Sequence, residues 1–507
     1  MTDDTLGRLV RAEPAAGHIS FAGLQGTRTM TLSDLYRRSG RVAWWLLERG
    51  VRPGDRIGIL AANSLEWVLL DLAALRLKAE TAGLEPGKFA PTAEPMRRYD
   101  LKLLFTDRPA DAPGTVPMSE VTEVAEREGP DGPPLPPVSW GPKDVTTVKF
   151  TSGSTGEPKG LGATAGSIDS SLRAVQEIFE HGPGDDLFVF LPLSLLQQRY
   201  WVYSALLHGH DVTVSTYEAA FAALRRVRPT VVMGVPAFYE TARRQIESRL
   251  RRAGPDRSLE QVAQTVFGDR VRYLWTGSAP AAPSMLRFFD EAGLPIYEGY
   301  GLNETCIVTK NHPKAHREGS VGQVLRGKEV LIGEDGAISI RSEHPVNDHY
   351  AYAGPGNSER VFGPDGTVRT GDLGHLDEDG FLFVRGRADD VIVLDNGKKV
   401  VVRPIEEHMK ADPAIAECVL FCPGQTELVA VVSPASVPPD REAIAARLAL
   451  TNASLTADER IGRAVVAEEP FTIDNGLLTS QYKPKRQQIL AAHHDAVHDP
   501  EEGMHAA

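Results

Sequence analysis

The sequence contains one loop whose composition suits phosphate chemistry, TSGSTGEPKG at residues 151–160. Small hydroxyl residues between glycines leave backbone N–H groups open to phosphate oxygens, and Lys159 adds a positive charge. A β-like run at residues 145–150 precedes the loop. The spacing differs from the G-x-x-x-x-G-K-[ST] phosphate loop, because Pro158 stands directly before the lysine. The pattern favours phosphate binding, with a flexible Gly/Ser linker as the alternative.

Three later segments also combine residue types that have chemical roles: YEGYGLNET at residues 297–305, TGDLG and GRADD at residues 370–374 and 386–390, and LTSQYKPKR at residues 478–486. With the loop, they resemble in the same order four motifs of the AMP-forming adenylating superfamily. These motifs are its phosphate loop, its Y-G-x-x-E adenine and magnesium motif, its ribose-binding and hinge region, and its C-terminal catalytic-lysine segment. The superfamily includes acyl-CoA synthetases, peptide-synthetase adenylation domains and luciferases. The resemblance covers essentially the whole chain, more weakly before Gly141.

The resemblance implies a reaction between a carboxylic acid and ATP, with Mg²⁺ as cofactor. The acid attacks the α-phosphate, pyrophosphate leaves, and the acyl group passes to a thiol, by default that of coenzyme A. Negative charge builds up on the phosphoryl oxygens, so catalysis would be mostly positioning and electrostatic stabilisation. The residues that the resemblance places at the nucleotide are Thr151, Ser152, Gly153, Ser154, Thr155, Gly156, Lys159, Gly277, Ser278, Ala279, Glu298, Gly299, Tyr300, Asp372, Arg387 and Lys483.

Three residues would be catalytic by the same resemblance. Glu304 and Thr155 would bind Mg²⁺, a hard cation that prefers oxygen ligands, and Lys483 would stabilise charge on the α-phosphate. For Glu304 the alternative is a carboxylate at the start of a helix. For Lys483 the alternatives are a catalytic Lys485 or a solvated basic run.

The resemblance also implies roles around the ribose and at the hinge between two domains. Asp372 would accept hydrogen bonds from the ribose hydroxyls, and Arg387 would support it. Tyr300 would stack on adenine, although a tyrosine beside glycines is as often part of a packed core. Asp389 would be the hinge, where a few backbone dihedrals absorb a large rotation.

Finer details resemble long-chain acyl-CoA synthetases, notably LPLS at residues 191–194 and GVPAFYE at residues 234–240. Leu195 and Ala165 stand where those enzymes usually have histidines, and KAETAGL at residues 78–84 replaces an apolar run. A bulky Trp275 that points inward would shorten an acyl tunnel and favour a small acid, an aryl acid or nitrite. The alternative is drift within a true fatty-acid enzyme. The acid pocket is predicted to contain Leu195, Phe238, Trp275, Gly277 and Gly301.

Three other functions stay open from the sequence. The enzyme could load a carrier protein or an amine acceptor in a natural-product pathway. It could adenylate nitrite and diazotise an aromatic amine. It could also be a non-catalytic nucleotide-binding protein, although Lys159, Glu304, Asp372, Arg387 and Lys483 argue against that.

The elements that position these residues alternate along the chain. Apolar residues at helical spacing predict helices at residues 32–49, capped by Thr31 or Ser33, and at residues 64–77, with a strand at residues 56–61 between them. Such alternation predicts an α/β fold, with a large N-terminal domain of doubly wound sheets and a β-rich subdomain. A small, mobile α+β domain would follow, giving domains at residues 1–386 and 387–507. The last fifteen residues have little to bury and are expected to be frayed.

Composition limits the classes of partner. Lys and Arg number 55 against 68 Asp and Glu, so the net charge is −13, and aromatic residues are only 7%. These values argue against a nucleic-acid partner. Three cysteines without a C-x-x-C spacing indicate reduced thiols, and neither a membrane segment nor a secretory signal is evident. The sequence predicts a cytoplasmic protein whose partners are a small-molecule acid and possibly a carrier protein.

Overall fold

The computed structural model describes residues 5–127, 133–152, 158–253, 257–277, 281–396, 398–479 and 482–505, with only the backbone of residues 151 and 152. Within these ranges, no helix is both long and apolar enough to cross a membrane.

Two large sheets form the body of the N-terminal part. Their strands, in chain order, are β1 (His18–Ala22), β2 (Thr27–Thr31), β3 (Arg56–Leu60), β4 (Glu80–Gly83), β5 (Leu101–Thr106), β6 (Thr115–Pro117), β7 (Val145–Ser152), β8 (Pro158–Thr164), β9 (Asp186–Val189), β10 (Asp211–Ser215), β11 (Val231–Gly234), β12 (Tyr273–Thr276), β13 (Ile296–Leu302), β14 (Cys306–Lys310) and β15 (Gln323–Val324). One sheet has the order β6-β5-β3-β4-β7-β8, and the other has the order β15-β14-β13-β12-β11-β9-β10-β1-β2.

The central strands of both sheets pair in parallel, as the alternating pattern predicts. Helices connect them because a parallel crossover needs a long connection. These helices are α1 (Thr5–Arg11), α2 (Leu32–Glu48), α3 (Leu65–Leu77), α4 (Ala93–Arg98), α5 (Met118–Glu126), α6 (Ala165–Phe179), α7 (Leu196–His208), α8 (Ala220–Val227), α9 (Pro236–Ala253), α10 (Leu259–Phe267) and α11 (Pro283–Glu291).

Side-chain caps fix the starts of α2 and α3 close to the positions that the sequence predicts. The Thr31 hydroxyl accepts a hydrogen bond from the Asp34 N–H at 3.0 Å, so Thr31, and not Ser33, caps α2. Ser64 caps α3 in the same way, accepting from the Trp67 N–H. Each cap satisfies an N–H that has no partner within its helix.

A four-stranded antiparallel subdomain follows the two large sheets. Its elements are β16 (Lys328–Ile332), β17 (Ala337–Ser342), α12 (Asn357–Val361), β18 (Thr367–Leu376) and β19 (Leu382–Arg387), with the strands in sequential order. Asp372 on β18 lies opposite Arg387 on β19, which brings two predicted ribose-site residues into one register pair.

The C-terminal part is a small α+β unit. Its elements are β20 (Val391–Val393), β21 (Lys399–Val401), α13 (Val402–Met409), β22 (Ile415–Phe421), β23 (Leu428–Pro434), α14 (Arg441–Ala453), β24 (Ile461–Val466), α15 (Arg486–Ala492), α16 (His494–His498) and β25 (Met504–His505). The strands β22-β23-β24-β25 form one sheet, and β20 pairs with β21.

The expectation of a frayed C-terminus is wrong for the residues described there. Val497 is fully buried, and β25 pairs with β24. The buried Arg463 guanidinium donates to the carbonyls of Ala496 and Glu502, each at 2.8 Å. A buried cation needs acceptors, and the backbone of the tail supplies them, so composition alone was a poor guide.

Candidate active site

The predicted phosphate loop connects two paired strands. Strands β7 and β8 pair antiparallel, with Thr151 opposite Lys159 and Ser152 opposite Pro158. The loop residues Gly153, Ser154, Thr155 and Gly156 lie outside the described residues, so their predicted contacts with phosphate and Mg²⁺ stay predictions. The two strands nevertheless fix both ends of the loop and the place of Lys159.

A tyrosine that the sequence reasoning missed joins Lys159 to Glu304. The Tyr350 hydroxyl donates to Glu304 Oε1 at 2.7 Å, and Lys159 Nζ lies 5.4 Å from the centroid of the Tyr350 ring. Tyr350 is held there because Ala351 N–H donates to the carbonyl of Gly160 at 2.8 Å. A Cβ on Gly160 would lie 2.5 Å from the Tyr352 ring, so the close contact between residue 160 and the segment that carries Tyr352 requires glycine.

Glu304 fits a magnesium ion that is shared with phosphates. Its carboxylate offers the hard oxygen ligand that Mg²⁺ prefers, and Lys159 at the same place would meet phosphate oxygens. Within the described part of the chain, no group of three or more His, Cys, Asp and Glu residues could hold a metal alone. This donor set suits Mg²⁺, which is commonly bound by one or two carboxylates together with substrate phosphates and water.

The predicted ribose site is assembled around one carboxylate. Asp372 is buried, and its Oδ1 accepts from Arg387 Nη1 at 3.1 Å while its Oδ2 accepts from the Tyr300 hydroxyl at 2.6 Å. The Thr370 hydroxyl accepts from the Asp372 N–H at 3.0 Å, and Arg387 also donates to the Thr370 carbonyl. Gly371 has a φ of +72°, and a Cβ there would lie 2.7 Å from Arg387 Nη2.

Lys483 of the small domain lies within electrostatic range of this carboxylate. The pKa of Lys483 is lowered, first by burial and then by the positive charges of Arg403 and Arg387, while Asp372 acts in the opposite direction. The neighbouring Tyr482 stacks its ring on Tyr217 of the large domain, with centroids 5.2 Å apart. The ring contact between Tyr482 and Tyr217 therefore joins the small domain to the large one, next to Lys483.

Lys485 has a different position from Lys483. It immediately precedes α15, and its N–H donates to the carbonyl of Leu477 at 2.9 Å. The electrostatic neighbours of Lys483 include Asp372 and Arg387, and the choice between Lys483 and Lys485 stays a prediction.

Glu298 lies beneath the segment that follows β12. Its Oε1 accepts from the Ala281 N–H at 3.2 Å, and burial raises the pKa of Glu298 to about 7. Ser278 and Ala279 lie outside the described residues. Below Glu298, the fully buried Lys310 donates to the carbonyls of Thr276 and Tyr297 at 3.2 and 2.7 Å. Sequence reasoning missed Lys310, whose only signal was a charge inside a β-branched run.

A cavity of about 680 Å³, counting its open mouth, lies between α7 and the ends of β11, β12 and β13. Among the described residues that line it, none is charged. They are Val175, Leu191, Gln197, Gln198, Tyr200, Trp201, Met233, Gly234, Val235, Trp275, Gly277, Gly299, Tyr300, Gly301 and Ile307.

Three of the five residues predicted for the acid pocket line this cavity, namely Trp275, Gly277 and Gly301. Phe238 instead packs in a separate aromatic cluster, 4.3 Å from Phe190 and 4.5 Å from Phe221 between ring centroids. Leu195 directly precedes α7 and is not part of the lining. Phe238 and Leu195 therefore lie outside the lining, to which α7 contributes Gln197, Gln198, Tyr200 and Trp201.

Trp275 contributes to an aromatic wall of the cavity. Its ring meets Trp201 edge-on at 4.6 Å and stacks on Phe179 at 4.9 Å, and Lys310 Nζ lies 3.8 Å from its centroid. Trp201 and Trp275 both line the cavity and are more than nine-tenths buried. Trp275 thus lines the cavity, and its effect on the length of an acyl tunnel stays a prediction.

A buried ion pair holds α7 in place beside the cavity. Arg199 Nη1 donates to Asp71 Oδ1 of α3 at 2.8 Å, and the Tyr203 hydroxyl donates to Asp71 Oδ2 at 2.5 Å. Arg199 also donates to the hydroxyls of Thr81 and Thr147. Asp71 stood out in the sequence only as a charge inside an apolar helix.

Two family models match most of the chain. The AMP-binding enzyme model covers residues 10–340, and the AMP-binding enzyme C-terminal domain model covers residues 389–499. The chain is 26% identical to the long-chain-fatty-acid–CoA ligase FadD15 of Mycobacterium bovis, over 93% of this chain and 92% of that protein.

Solved structures share the fold. ATP-bound MatB from Rhodopseudomonas palustris superposes with a TM-score of 0.79 at 20% identity, over 98% of this chain and 100% of that one. The o-succinylbenzoate CoA synthetase MenE from Bacillus subtilis, in complex with its acyl-adenylate intermediate, gives 0.76 at 20% identity over 99% of each chain. The fold class predicted from the sequence is confirmed. The chain belongs to the AMP-binding enzyme family and is an AMP-forming ligase of the adenylating superfamily, as its four motifs predict.

Proposed function

We propose that the protein is an acid–CoA ligase: it adenylates a carboxylic acid with ATP, releases pyrophosphate and transfers the acyl group to coenzyme A. The observation that carries this proposal is that Lys483 of the small domain lies within electrostatic range of the Asp372–Arg387 pair, which suits the first half-reaction.

Each residue of the site has a role in that first step. Asp372 accepts from the ribose hydroxyls, while Arg387 and Tyr300 hold its carboxylate in place. Lys159 binds the outer phosphates, and Lys483 stabilises the charge that grows on the α-phosphate as the acid oxygen bonds to phosphorus and pyrophosphate leaves. Glu304 would hold Mg²⁺, which would neutralise phosphate charge.

Transfer to coenzyme A requires the small domain to turn. We assign domains to residues 1–386 and 387–507 with the hinge at Asp389, which lies in a short 3₁₀ turn, Ala388–Asp390, between the last subdomain strand and the small domain. Rotation there would withdraw Lys483 and admit the thiol, which attacks the acyl carbon and displaces AMP. A carrier-protein thiol is the alternative acceptor.

The acid would bind in the cavity beside Tyr300 and Gly301. Trp201 and Trp275 form a wall of the cavity. This wall favours a short or aryl acid, because a long chain gains binding free energy from each methylene only where the cavity extends far enough to bury it. The proteins of similar sequence or fold are named for acids as different as long-chain fatty acids and o-succinylbenzoate.

A screen of pyrophosphate release tests the proposal. The enzyme, ATP and Mg²⁺ would be incubated with fatty, aryl, amino and small dicarboxylic acids and with nitrite, each with and without coenzyme A. The proposal predicts acid-dependent pyrophosphate release and a thioester only when coenzyme A is present. Nucleotide binding without pyrophosphate release for any acid would contradict it.

A further inference from the structure

Gln198 places an unsatisfied hydrogen-bond acceptor at the cavity. Its side chain is in the first turn of α7, is 8% exposed and lines the cavity. Its Oε1 is buried and has no hydrogen-bond partner among the residues that the structure describes. Buried polar atoms nearly always have a partner, and a hydrogen-bond donor on a molecule bound in the cavity would satisfy this acceptor.

The helix that carries Gln198 cannot easily turn this acceptor away. The next residue, Arg199, is locked into the buried pair with Asp71, and the Gln198 N–H donates to the carbonyl of Leu195 at 2.9 Å. Gln198 is therefore presented to the cavity by a helix anchored on its other face.

The other lining residues indicate what kind of molecule would supply the hydrogen-bond donor to Gln198. Tyr200, Trp201, Trp275 and Tyr300 surround the cavity with aromatic surface, which suits a flat ring. No charged side chain lies among the described lining residues, so a second carboxylate or an aliphatic ammonium group would be buried without a counter-ion. Lys310 does not fill that role, because its Nζ is engaged by two backbone carbonyls and the face of Trp275.

We propose that the acid substrate is an aryl acid carrying a neutral hydrogen-bond donor, a phenolic hydroxyl or an aromatic amino group, and that Gln198 is the residue that selects it. This inference rests on the proposed function, since it names the acid bound during adenylation. A site built to bond a hydroxyl or amino group rejects analogues that lack one, because its own polar atom is then left buried and unpaired.

The test compares adenylation of matched acids by the full-length enzyme. The hydroxy-, amino- and methoxybenzoates at every ring position, benzoate, palmitate and nitrite would be assayed by pyrophosphate release, and kcat/KM determined for each. We expect the best hydroxy or amino acid to exceed its methoxy and unsubstituted counterparts by about tenfold or more. The Gln198→Met variant, similar in shape but without the acceptor, should lose that ratio, whereas Gln264→Met, the same change on α10 and away from the cavity, should keep it.

The outcomes separate the inference from the proposed function. Equal kcat/KM for donor-bearing and donor-free acids, an unchanged ratio in Gln198→Met, or palmitate as the best substrate would overturn the inference while leaving an acid ligase in place. No pyrophosphate release with any acid would overturn the proposed function itself. The wild-type ratio decides the matter even where a variant does not fold.

Discussion

The Tyr300 hydroxyl donates to Asp372 Oδ2 at 2.6 Å, and this bond joins the nine-stranded sheet to the antiparallel subdomain. Burial and the neighbouring carboxylate both raise the pKa of Tyr300, so its phenol stays protonated and remains a donor at physiological pH. The Asp372 carboxylate thus accepts hydrogen bonds from Tyr300 and Arg387 and, in the proposed complex, from the ribose hydroxyls.

Asp372→Asn should weaken ATP binding. The amide keeps the shape but loses the charge that pairs with Arg387, and hydrogen bonds to charged groups contribute about 1.5–3 kcal/mol. We expect the Kd for ATP, measured by calorimetry, to rise about tenfold or more. Tyr300→Phe, which removes only a hydroxyl that supports the carboxylate, is the matched control and should have a smaller effect. An unchanged Kd in Asp372→Asn would contradict the ribose assignment.

Lys483→Ala should cripple adenylation and spare ATP binding. The positive charge is needed chiefly in the transition state, so the single-turnover rate of acyl-adenylate formation should fall by at least about a hundredfold. Lys485→Ala is the matched control, and its rate should stay near that of the wild type. The reverse result, with Lys485→Ala inactive and Lys483→Ala active, would show that the wrong lysine has been assigned.

Much of this site could be predicted from the sequence because its residues lie in contiguous motifs. Asp372, Arg387, Lys483 and Glu304 are each surrounded by glycines, prolines or hydroxyl residues in a fixed order, and that order is visible in one chain. Apolar residues at helical spacing likewise predicted helix α2, which Thr31 caps, to within one residue of its C-terminal end.

Sequence reasoning predicted the residues around the cavity less well. Lys310 and Tyr350 act through contacts with residues more than a dozen positions away, and no local pattern announces such contacts. Phe238 was placed wrongly because an aromatic residue near a family motif can face either side of its helix.

Asp389→Pro should separate the two half-reactions. Proline fixes φ near −65° and restricts rotation at the proposed hinge. Adenylation should persist, because the orientation that we propose for the small domain suits the first half-reaction, while thioester formation should fail. Asp389→Ala, which keeps backbone freedom, should support both reactions. Equal loss of adenylation and transfer in Asp389→Pro would place the hinge elsewhere.

Glu298→Gln should change how stability depends on pH. Burial raises the pKa of Glu298 to about 7, so the folded protein retains a proton that the unfolded chain, with an ordinary glutamate pKa near 4.5, has already released. Wild-type stability should therefore fall relative to Glu298→Gln as pH rises from about 4.5 to 7, by up to about 3 kcal/mol, and the difference should level off above that. Urea unfolding of both proteins at pH 5, 6, 7 and 8 measures this difference. These pH values lie on both sides of the pKa of Glu298. A constant difference across that range would contradict the raised pKa.

Arg199→Met should destabilise the fold because it leaves Asp71 buried without its cation. Breaking one side of a buried ion pair costs about 3–5 kcal/mol in the free energy of unfolding. The double variant Asp71→Asn with Arg199→Met removes both charges and should recover part of that loss. If Arg199→Met unfolds at the wild-type urea concentration, the pair does not anchor α7.

Exchange of radiolabelled pyrophosphate into ATP tests the central claim most directly, because it reports reversible formation of an acyl-adenylate and nothing later. The account predicts exchange that requires an acid from the aryl panel, proceeds without coenzyme A, is lost in Lys483→Ala and survives in Asp389→Pro. Exchange that is absent with every acid, or ATP consumption that yields ADP and phosphate instead of AMP and pyrophosphate, would contradict it.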